Sequence, residues 1–408
     1  MQEHIIIYIS NKESKRDLIQ NITSGNFFPE LASQKGAIFS EITINKFIEE
    51  ETRHERFDVK TETNNSLKNS SEGERKKALL NYILSSDISD YLALDNVFDC
   101  LDIKTQSKIK TLLETISNKT KIIQIATRKR DFLSFIDTIY TIEDNQLKLY
   151  VDTQQNVARQ HFIKALPKPY KIEFEIFQSL VTLDNISLSY GDRPILNAIS
   201  WEIKPNEFWQ LIGPNGSGKS TILSLISGDN PKGYMQDMTL FGMKKGNGET
   251  VWDIKKHIGF YTSEMLRGFK RKDTVESMIV SGFLDSIGLY KYPTDVQLKI
   301  AREWLELLNM KHIKDKSFQF LSNGHKRLVL IARAMVKHPP LLILDEPTNG
   351  LDDTDAKIFA ELVNKIAKES NTAIIYVSHR KEEHINPDFI YELIPQKKGS
   401  VAKVSTFK

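Results

Sequence analysis

The chain has 408 residues, 40% of them hydrophobic, which is enough for at least two globular domains with buried cores. Its formal net charge is +3, from 56 basic and 53 acidic side chains, so overall charge identifies neither a nucleic-acid-binding nor a membrane-binding protein. Cys100 is the only cysteine, which excludes an intrachain disulfide and favours a cytosolic address. The apolar run at 5–9 is too short for a signal peptide, and no segment approaches the roughly 18 apolar residues of a membrane-spanning helix.

The order of predicted elements indicates an α/β fold. Residues 150–178 contain glutamines and prolines without a sustained period and predict a linker, so we expect domains at 1–150 and 179–408 joined by 151–178. Strands that alternate with helices predict a mostly parallel sheet that is covered on both faces. The elements predicted downstream are, in chain order, strands at 183–190 and 208–212, helices at 221–226, 301–308 and 328–336, and strands at 341–344 and 372–377.

A phosphate-binding pattern stands between the strand at 208–212 and the helix at 221–226. Its glycines let successive backbone N–H groups point into one concavity, and the helix that follows adds the positive end of its dipole. We expect Lys219 to reach the β and γ phosphates of ATP and the Ser220 hydroxyl to bind Mg²⁺. The residues that fit G-x-x-x-x-G-K-[ST] are Gly213, Pro214, Asn215, Gly216, Ser217, Gly218, Lys219, Ser220 and Thr221.

The apolar strand at 341–344 delivers two carboxylates, Asp345 and Glu346, at its carboxyl end, where open α/β sheets bind ligands. Taken alone, such a pair is more often a helix cap, but the phosphate loop upstream reverses this preference. We expect Asp345 to hold magnesium and Glu346 to orient or deprotonate the water that attacks the γ-phosphate.

Ser322, followed by Gly324, lies 23 residues before Asp345 and by itself predicts a helix N-cap. The order of phosphate loop, Ser-x-Gly helix start, Asp-Glu strand and then His379 after a further strand resembles the ATP-binding-cassette (ABC) ATPase family over the whole second half. In that family the Ser-x-Gly signature helix of one domain caps the γ-phosphate held by another, in a head-to-tail sandwich.

The resemblance implies roles for further positions. It implies that Tyr190 stacks on adenine, that His379 contacts the γ-phosphate, and that the loop at 350–352 lies between two sites. One position departs from the family: Ser263 stands where a glutamine usually senses magnesium and couples the domain to membrane subunits. The resemblance therefore does not imply coupling to a permease.

The first half repeats the pattern of the second. Ser71, followed by Gly73, stands 24 residues before Asp95, close to the 23-residue spacing downstream. Residues 91–102 match 341–352 in their apolar and acidic pattern, and 122–127 repeats the strand before His379 with Thr127 in the place of the histidine. We therefore predict that the first half is an eroded copy of the same domain.

The first copy differs from the second in its chemistry. Its segment 9–16 lacks glycine and carries Glu13, so we expect it to bind ATP poorly, and Asn96 replaces the catalytic glutamate. It keeps Ser71 and Gly73, which suggests one composite site with the second domain in cis and Ser71-x-Gly73 in trans. The alternative is a structural remnant in a chain that forms homodimers through its intact halves.

The tandem arrangement resembles the ModF type of the family, known as a molybdenum-transport ATP-binding protein and as a photorepair protein. The residues that carry this resemblance are 252–259, 281–288 and the segment around Ser263. Two functions remain open: an ATPase subunit that energises a transporter at the inner face of the cell membrane, and a mechanochemical ATPase that acts on a partner such as the ribosome or DNA. The basic run at 270–272 is too short to indicate nucleic-acid binding, and Glu346 disfavours a non-enzymatic binding module.

Overall fold

A computed structural model of the chain describes residues 3–61, 65–85, 89–152, 161–169, 176–268, 272–285, 292–379 and 381–407. Parts of the predicted linker, of the basic run at 270–272 and of the 281–288 motif lie outside these residues. Contacts divide the chain into two units. The first is Met1–Val157 with Asn349–Thr354, and the second is Ala158–Thr348 with Asp355–Lys408.

The first unit is an α/β domain around one six-stranded sheet. Its strands are β1 (Ile5–Tyr8), β2 (Gly36–Phe39), β3 (Tyr91–Asp95), β4 (Lys121–Ala126), β5 (Thr138–Glu143) and β6 (Gln146–Leu149). Its helices are α1 (Lys15–Thr23), α2 (Glu41–His54), α3 (Glu72–Ser85) and α4 (Ile103–Ser117). The strand order is β2-β3-β4-β1-β5-β6, and of the described strands only β6 runs antiparallel to its neighbour.

Helices cover both faces of this sheet because successive side chains of each strand point to opposite sides. Ile5 and Ile7 of β1 pack in one core cluster with Ile22 of α1. Ile6, between them in sequence, packs in another cluster with Leu113 of α4. β1 is therefore apolar along its whole length, as expected of a strand in a parallel sheet that is buried on both sides.

The second unit contains two sheets. The strands of its main sheet are β9 (Phe208–Ile212), β12 (Ile258–Thr262), β13 (Leu341–Asp345), β14 (Ala373–Ser378), β15 (Phe389–Ile394) and β16 (Val401–Thr406). The strands of its antiparallel sheet are β7 (Val181–Tyr190), β8 (Arg193–Ile203), β10 (Asp237–Leu240) and β11 (Met243–Lys244). The helices are α5 (Lys219–Ile226), α6 (Val251–Lys255), α7 (Met265–Gly268), α8 (Val275–Val280), α9 (Asp295–Leu307), α10 (Asn323–Met335) and α11 (Asp353–Glu369).

The two main sheets have the same topology. In the second unit the order is β12-β13-β14-β9-β15-β16, with β16 antiparallel to β15 and the other neighbours parallel. If the strands of each sheet are numbered in chain order, both sheets have the order 2-3-4-1-5-6. The predicted α/β class, the mostly parallel sheet and the internal repeat are therefore confirmed. The antiparallel sheet has no counterpart among the first-unit residues 3–61, 65–85 and 89–152.

The predicted elements of the second half are present. The helices predicted at 301–308 and 328–336 are α9 and α10, which begin earlier than predicted, at Asp295 and Asn323. The strand predicted at 208–212 is β9, and the strand predicted at 183–190 is β7, which begins at Val181. The helix predicted at 221–226 begins two residues earlier, at Lys219, because Gly218 forms its N-cap with a φ of 96°. A glycine takes this left-handed backbone without the strain that a side chain would add.

Residues 161–169 of the predicted linker make contacts with helices of the second unit. His161 donates its backbone N–H to Glu361 of α11 over 2.7 Å, and its Nδ1 lies 2.8 Å from the same carboxylate. Lys164 pairs with Glu306 of α9 at 2.9 Å. Residues 161–169 thus belong to the second unit by their contacts, while the domain boundary at 151–178 stays a prediction.

Candidate functional site

The phosphate-binding pattern forms the loop between β9 and α5. Gly216 and Gly218 both have positive φ values, 77° and 96°. A Cβ on Gly218 would approach Leu196 to 2.7 Å, and a Cβ on Gly213 would approach the Ser217 hydroxyl to 2.6 Å. Backbone conformation and close packing therefore both require glycine in this loop.

Lys219 opens α5 and turns back over the loop. Its ammonium donates to the carbonyl of Gly213 at 2.7 Å and to that of Pro214 at 3.2 Å, and only 7% of the residue is exposed. The first N–H groups of a helix have no intrahelical acceptor, so the start of α5 offers donors and a positive dipole end beside this cation. Together they form a site for a polyphosphate anion.

Asp345 ends β13 beside this cation. Burial raises the pKa of Asp345 to about 6, the Lys219 ammonium opposes the rise, and the Glu264 carboxylate adds to it. Burial thus disfavours the ionised form of Asp345, and a bound cation would stabilise that ionised form.

Replacing Asp345 with asparagine should stabilise the ligand-free fold by about 1–3 kcal/mol near pH 8, and by less than about 1 kcal/mol near pH 4. The pKa rises on folding from 3.8 to about 6. Between these values the native carboxyl holds more protons than the unfolded one, so its stability contribution falls as pH rises through this window. Urea unfolding at both pH values measures the effect. An equal difference at the two pH values would contradict the assigned pKa.

Glu346 follows Asp345 in a left-handed backbone conformation, with a φ of 48°. Its N–H donates to the carbonyl of Val377 at 3.0 Å, and its own carbonyl accepts a hydrogen bond from the Ser263 hydroxyl at 2.7 Å. The His379 Nδ1 atom, just beyond β14, lies 3.0 Å from the Glu346 carboxylate. The structure thus brings the two predicted catalytic residues, Glu346 and His379, together at the carboxyl end of the sheet.

The hairpin of β7 and β8 carries the predicted adenine-binding residue. Tyr190 is 48% exposed, and its hydroxyl oxygen accepts a hydrogen bond from Asn230 at 3.0 Å. Arg193, its register partner across the turn, places Nη2 3.5 Å from the position of a Cβ on Gly216. Arg193 was not predicted as a site residue from the sequence. Its position directly after a two-residue turn, three residues from Tyr190, indicates that the two side chains are opposite each other.

Ser322 and Gly324 begin the signature helix α10 as predicted. The Ser322 hydroxyl accepts the His325 N–H at 3.3 Å. Gly324 packs so closely on the Asp355 carboxylate that a Cβ would overlap it. Further along α10 the Arg327 guanidinium, 4% exposed, donates to the carbonyl of Pro347 in the loop after β13.

The first unit repeats this arrangement with other residues. Its helix α3 begins directly after Ser71, whose N–H and hydroxyl both donate to the Glu74 carboxylate, at 2.9 and 2.8 Å. Gly73 in the first turn is buried. At the helix position of Arg327, Lys76 donates to the carbonyl of Asn96 at 3.3 Å. The helix start at Ser71 is therefore present, and its role stays a prediction.

The loop after β1 differs from its counterpart in the second unit. Lys15, at the position of Lys219, forms an ion pair with Asp95 at 2.7 Å. Asn96, at the position of Glu346, has a φ of 42°, and its side-chain oxygen accepts the Thr127 N–H at 3.2 Å. The lysine charge is thus neutralised inside the first unit.

Residues Asn349–Thr354 belong to the first unit by their contacts. The Asn11 N–H donates to the Asp352 carboxylate at 2.7 Å. The buried Arg128 donates through Nε to the carbonyl of Leu351 at 2.8 Å. The segment that the family resemblance places between two sites is thus fixed by hydrogen bonds within this unit.

Two features of the described residues concern metal ligands and membrane-spanning helices. No group of three or more His, Cys, Asp or Glu side chains is arranged to hold a metal ion. In the same part of the chain, no helix combines the length and the apolar character needed to cross a membrane.

Comparisons with known proteins agree with this geometry. The family model described as ABC transporter matches residues 196–349. The chain is 37% identical over 330 residues to the ABC transporter ATP-binding protein ModF of Escherichia coli (strain K12), covering 77% of this chain and 67% of that protein. An uncharacterized ABC transporter ATP-binding protein of Schizosaccharomyces pombe is 29% identical over 327 residues, with coverages of 78% and 66%.

A third relative is shorter. The uncharacterized ABC transporter ATP-binding protein YmeB of Lactococcus lactis is 34% identical over 206 residues, which cover 50% of this chain and 79% of that protein. The chain spans about two thirds of the length of the Escherichia coli and Schizosaccharomyces pombe relatives. With its phosphate loop, its Asp-Glu strand and this similarity, the chain belongs to the ATP-binding-cassette family of ATPases.

Proposed function

We propose that the second unit binds Mg-ATP and hydrolyses it with Glu346 as the residue that orients or deprotonates the attacking water. The observation that carries this proposal is the convergence of Lys219, Asp345, Glu346 and His379 at the carboxyl end of one sheet. Phosphoryl transfer depends mainly on positioning and charge compensation, which a fixed carboxylate beside a phosphate loop can provide. The His379 ring lies 3.0 Å from the Glu346 carboxylate, a distance that allows the ring to orient this carboxylate.

The residues of this site fit a magnesium ion. Ser220 in the first turn of α5 supplies a hydroxyl and Asp345 a carboxylate, which are hard oxygen donors of the kind that Mg²⁺ prefers. Magnesium usually binds through one or two such groups plus water and phosphate oxygens, so a larger protein cluster is not required. When bound, the ion neutralises charge that develops on the phosphate oxygens.

The nucleoside end of ATP would lie on the β7–β8 hairpin. The half-exposed ring of Tyr190 suits stacking on adenine, and the Arg193 guanidinium adds a positive charge beside Gly216. Because Tyr190 and Arg193 are opposite each other in the register, one hairpin would contact both the base and the phosphates.

A second part of the proposal concerns the first unit. We propose that it does not hydrolyse ATP itself and that Ser71 and Gly73 complete the site of the second cassette. The ion pair of Lys15 with Asp95 and the presence of Asn96 support the first statement. The start of α3 at Ser71 supports the second, because it reproduces the helix start at Ser322. The alternative is a homodimer in which Ser322 and Gly324 of a second copy serve this purpose.

The variant Ser71→Arg should lower Mg-dependent ATP turnover by roughly 10-fold to 10²-fold, because it would remove the Ser71 hydroxyl and place a long side chain where the helix start would contact the γ-phosphate. The matched variant Ser322→Arg should leave turnover close to that of the native chain. Phosphate release with and without Mg²⁺ measures both. The reverse result, with Ser322→Arg slow and Ser71→Arg unaffected, would establish the homodimer instead. A native chain without Mg-dependent turnover would refute the ATPase proposal as a whole.

Two uses of this ATPase activity are supported by different observations. The name of the Escherichia coli relative, ABC transporter ATP-binding protein ModF, supports a subunit that energises transport. The resemblance of the sequence to the ModF type adds molybdate as the substrate class of this proposal. Ser263 supports a mechanochemical ATPase that acts on a macromolecule, because it replaces the glutamine that couples such domains to membrane subunits in the family. Either use is compatible with a cytoplasmic address, and the transport role with a peripheral position at the membrane.

A further inference from the structure

We propose that Ser263 is a positioning residue for hydrolysis, one that holds the backbone of Glu346 in the conformation that presents its carboxylate. This inference rests on the proposed function, because it takes Glu346 as the residue that activates water. Ser263 has no direct role in nucleotide binding in this proposal.

The hydrogen bond follows from strand register. β12 and β13 are parallel neighbours, and their last residues, Thr262 and Asp345, are opposite each other. The residues that follow the two strands, Ser263 and Glu346, are therefore brought next to each other. The Ser263 hydroxyl donates to the Glu346 carbonyl at 2.7 Å, a good distance for a hydroxyl donor. A serine at this position therefore binds the main chain of the next strand.

Glu346 requires such support because its backbone is strained. A left-handed φ of 48° is disfavoured for a residue with a Cβ by roughly 1–2 kcal/mol, and it persists when the surroundings hold it. The N–H of Glu346 is held by Val377 of β14, and its carbonyl by Ser263 at the end of β12. Both backbone polar groups are thus fixed by the two strands that flank β13.

The first unit provides an internal comparison. Asn96 has a similar φ of 42°, and its N–H donates to Ile125 at 3.0 Å, but its carbonyl accepts from Lys76 of α3. Because Phe39 of β2 is opposite Leu94, the counterpart of Ser263 in this register is Glu41, which has no hydroxyl and begins α2. A hydroxyl donor at this position is therefore found in the unit that has the glutamate.

The test compares Ser263→Ala with Ser263→Thr, which keeps the hydroxyl. Ser263→Ala should lower the turnover number at saturating ATP by about 3-fold to 10-fold, the effect of losing one neutral hydrogen bond, with the ATP dissociation constant unchanged within about twofold. Ser263→Thr should restore most of the turnover. Ser370→Ala is the matched control, because it removes a hydroxyl that donates to the Ile366 carbonyl, also at 2.7 Å, at the end of α11.

Two outcomes would overturn the proposal: native turnover in Ser263→Ala, or equal losses in the alanine and threonine variants. A loss of ATP affinity parallel to the loss of turnover would also overturn it, because a positioning residue acts after binding. The double variant Ser263→Ala with Glu346→Gln should be no slower than Glu346→Gln alone. If Glu346→Gln keeps native turnover, the proposed function fails, whereas an inactive Glu346→Gln with a fully active Ser263→Ala removes only the role of Ser263.

Discussion

The variant Lys219→Ala is expected to bind ATP roughly 10²-fold to 10³-fold more weakly than the native chain, and to lose its turnover in proportion. Lys219 is 7% exposed and its ammonium donates to two carbonyls of the phosphate loop, so its charge is held where a bound polyphosphate would lie. A triphosphate bound in the loop would therefore lose its nearest fixed cation. Equilibrium binding of a fluorescent ATP analogue measures the loss without depending on hydrolysis.

The first unit supplies the control for this variant. Lys15 occupies the same position after β1, but its ammonium is paired with Asp95 at 2.7 Å. Lys15→Ala should therefore leave ATP affinity unchanged within about twofold, although it lowers stability by leaving a buried carboxylate without its partner. A thermal unfolding measurement identifies this second effect. Equal ATP retention by the native chain and Lys219→Ala would end the assignment of the site to the second unit.

Local pattern was sufficient to predict the elements that carry the chemistry. The run at 208–212 is apolar except for Gln210 and is followed by a glycine-rich turn, which predicts both β9 and the loop after it. The spacing from Ser71 to Asp95 predicts a second copy of the fold, and the first sheet has the strand order of the second. These features depend on neighbouring residues or on a repeated spacing, so they are visible in the sequence.

Contacts between distant strands could not be predicted in the same way. Ser263 and Glu346 meet across 83 residues because β12 and β13 align with Thr262 opposite Asp345. A shift of one residue in that register would turn these side chains to other faces, and the local sequence of neither strand specifies the register. The raised pKa of Asp345 is a further example, because burial and the charge of Glu264 both arise from the assembled sheet.

The same reason explains why the first unit could be only partly interpreted from its sequence. The missing glycines and Asn96 predict weak nucleotide binding. The pairing of Lys15 with Asp95 depends on β1 and β3 lying on either side of β4 with their carboxyl ends together. In the second unit Lys219 bonds to loop carbonyls, and Asp345 has a raised pKa. The two lysines thus differ because of the shapes of their loops.

The variant Glu346→Gln is expected to retain ATP and to hydrolyse it roughly 10²-fold to 10³-fold more slowly, because the amide keeps the shape of the side chain but no longer serves as a base. The carboxylate lies 3.0 Å from His379 at the end of the sheet, where a carboxylate-to-amide change removes charge with little change in volume. Single-turnover phosphate release measures the chemical step, and nucleotide retention after gel filtration measures binding. Turnover within about threefold of the native chain would assign water activation to another residue.

Glu264→Gln is the matched control, because it neutralises a nearby carboxylate whose charge raises the pKa of Asp345. Glu264→Gln should keep most of the turnover, so a general effect of lost negative charge would be separated from the role of Glu346.

The slow hydrolysis of Glu346→Gln can also be used to identify the partner of this ATPase. Because this variant should remain in the ATP-bound state, a partner that binds that state should co-purify with it. Recovery of a membrane subunit would then favour the transport role, and recovery of ribosomes or DNA would favour the mechanochemical one.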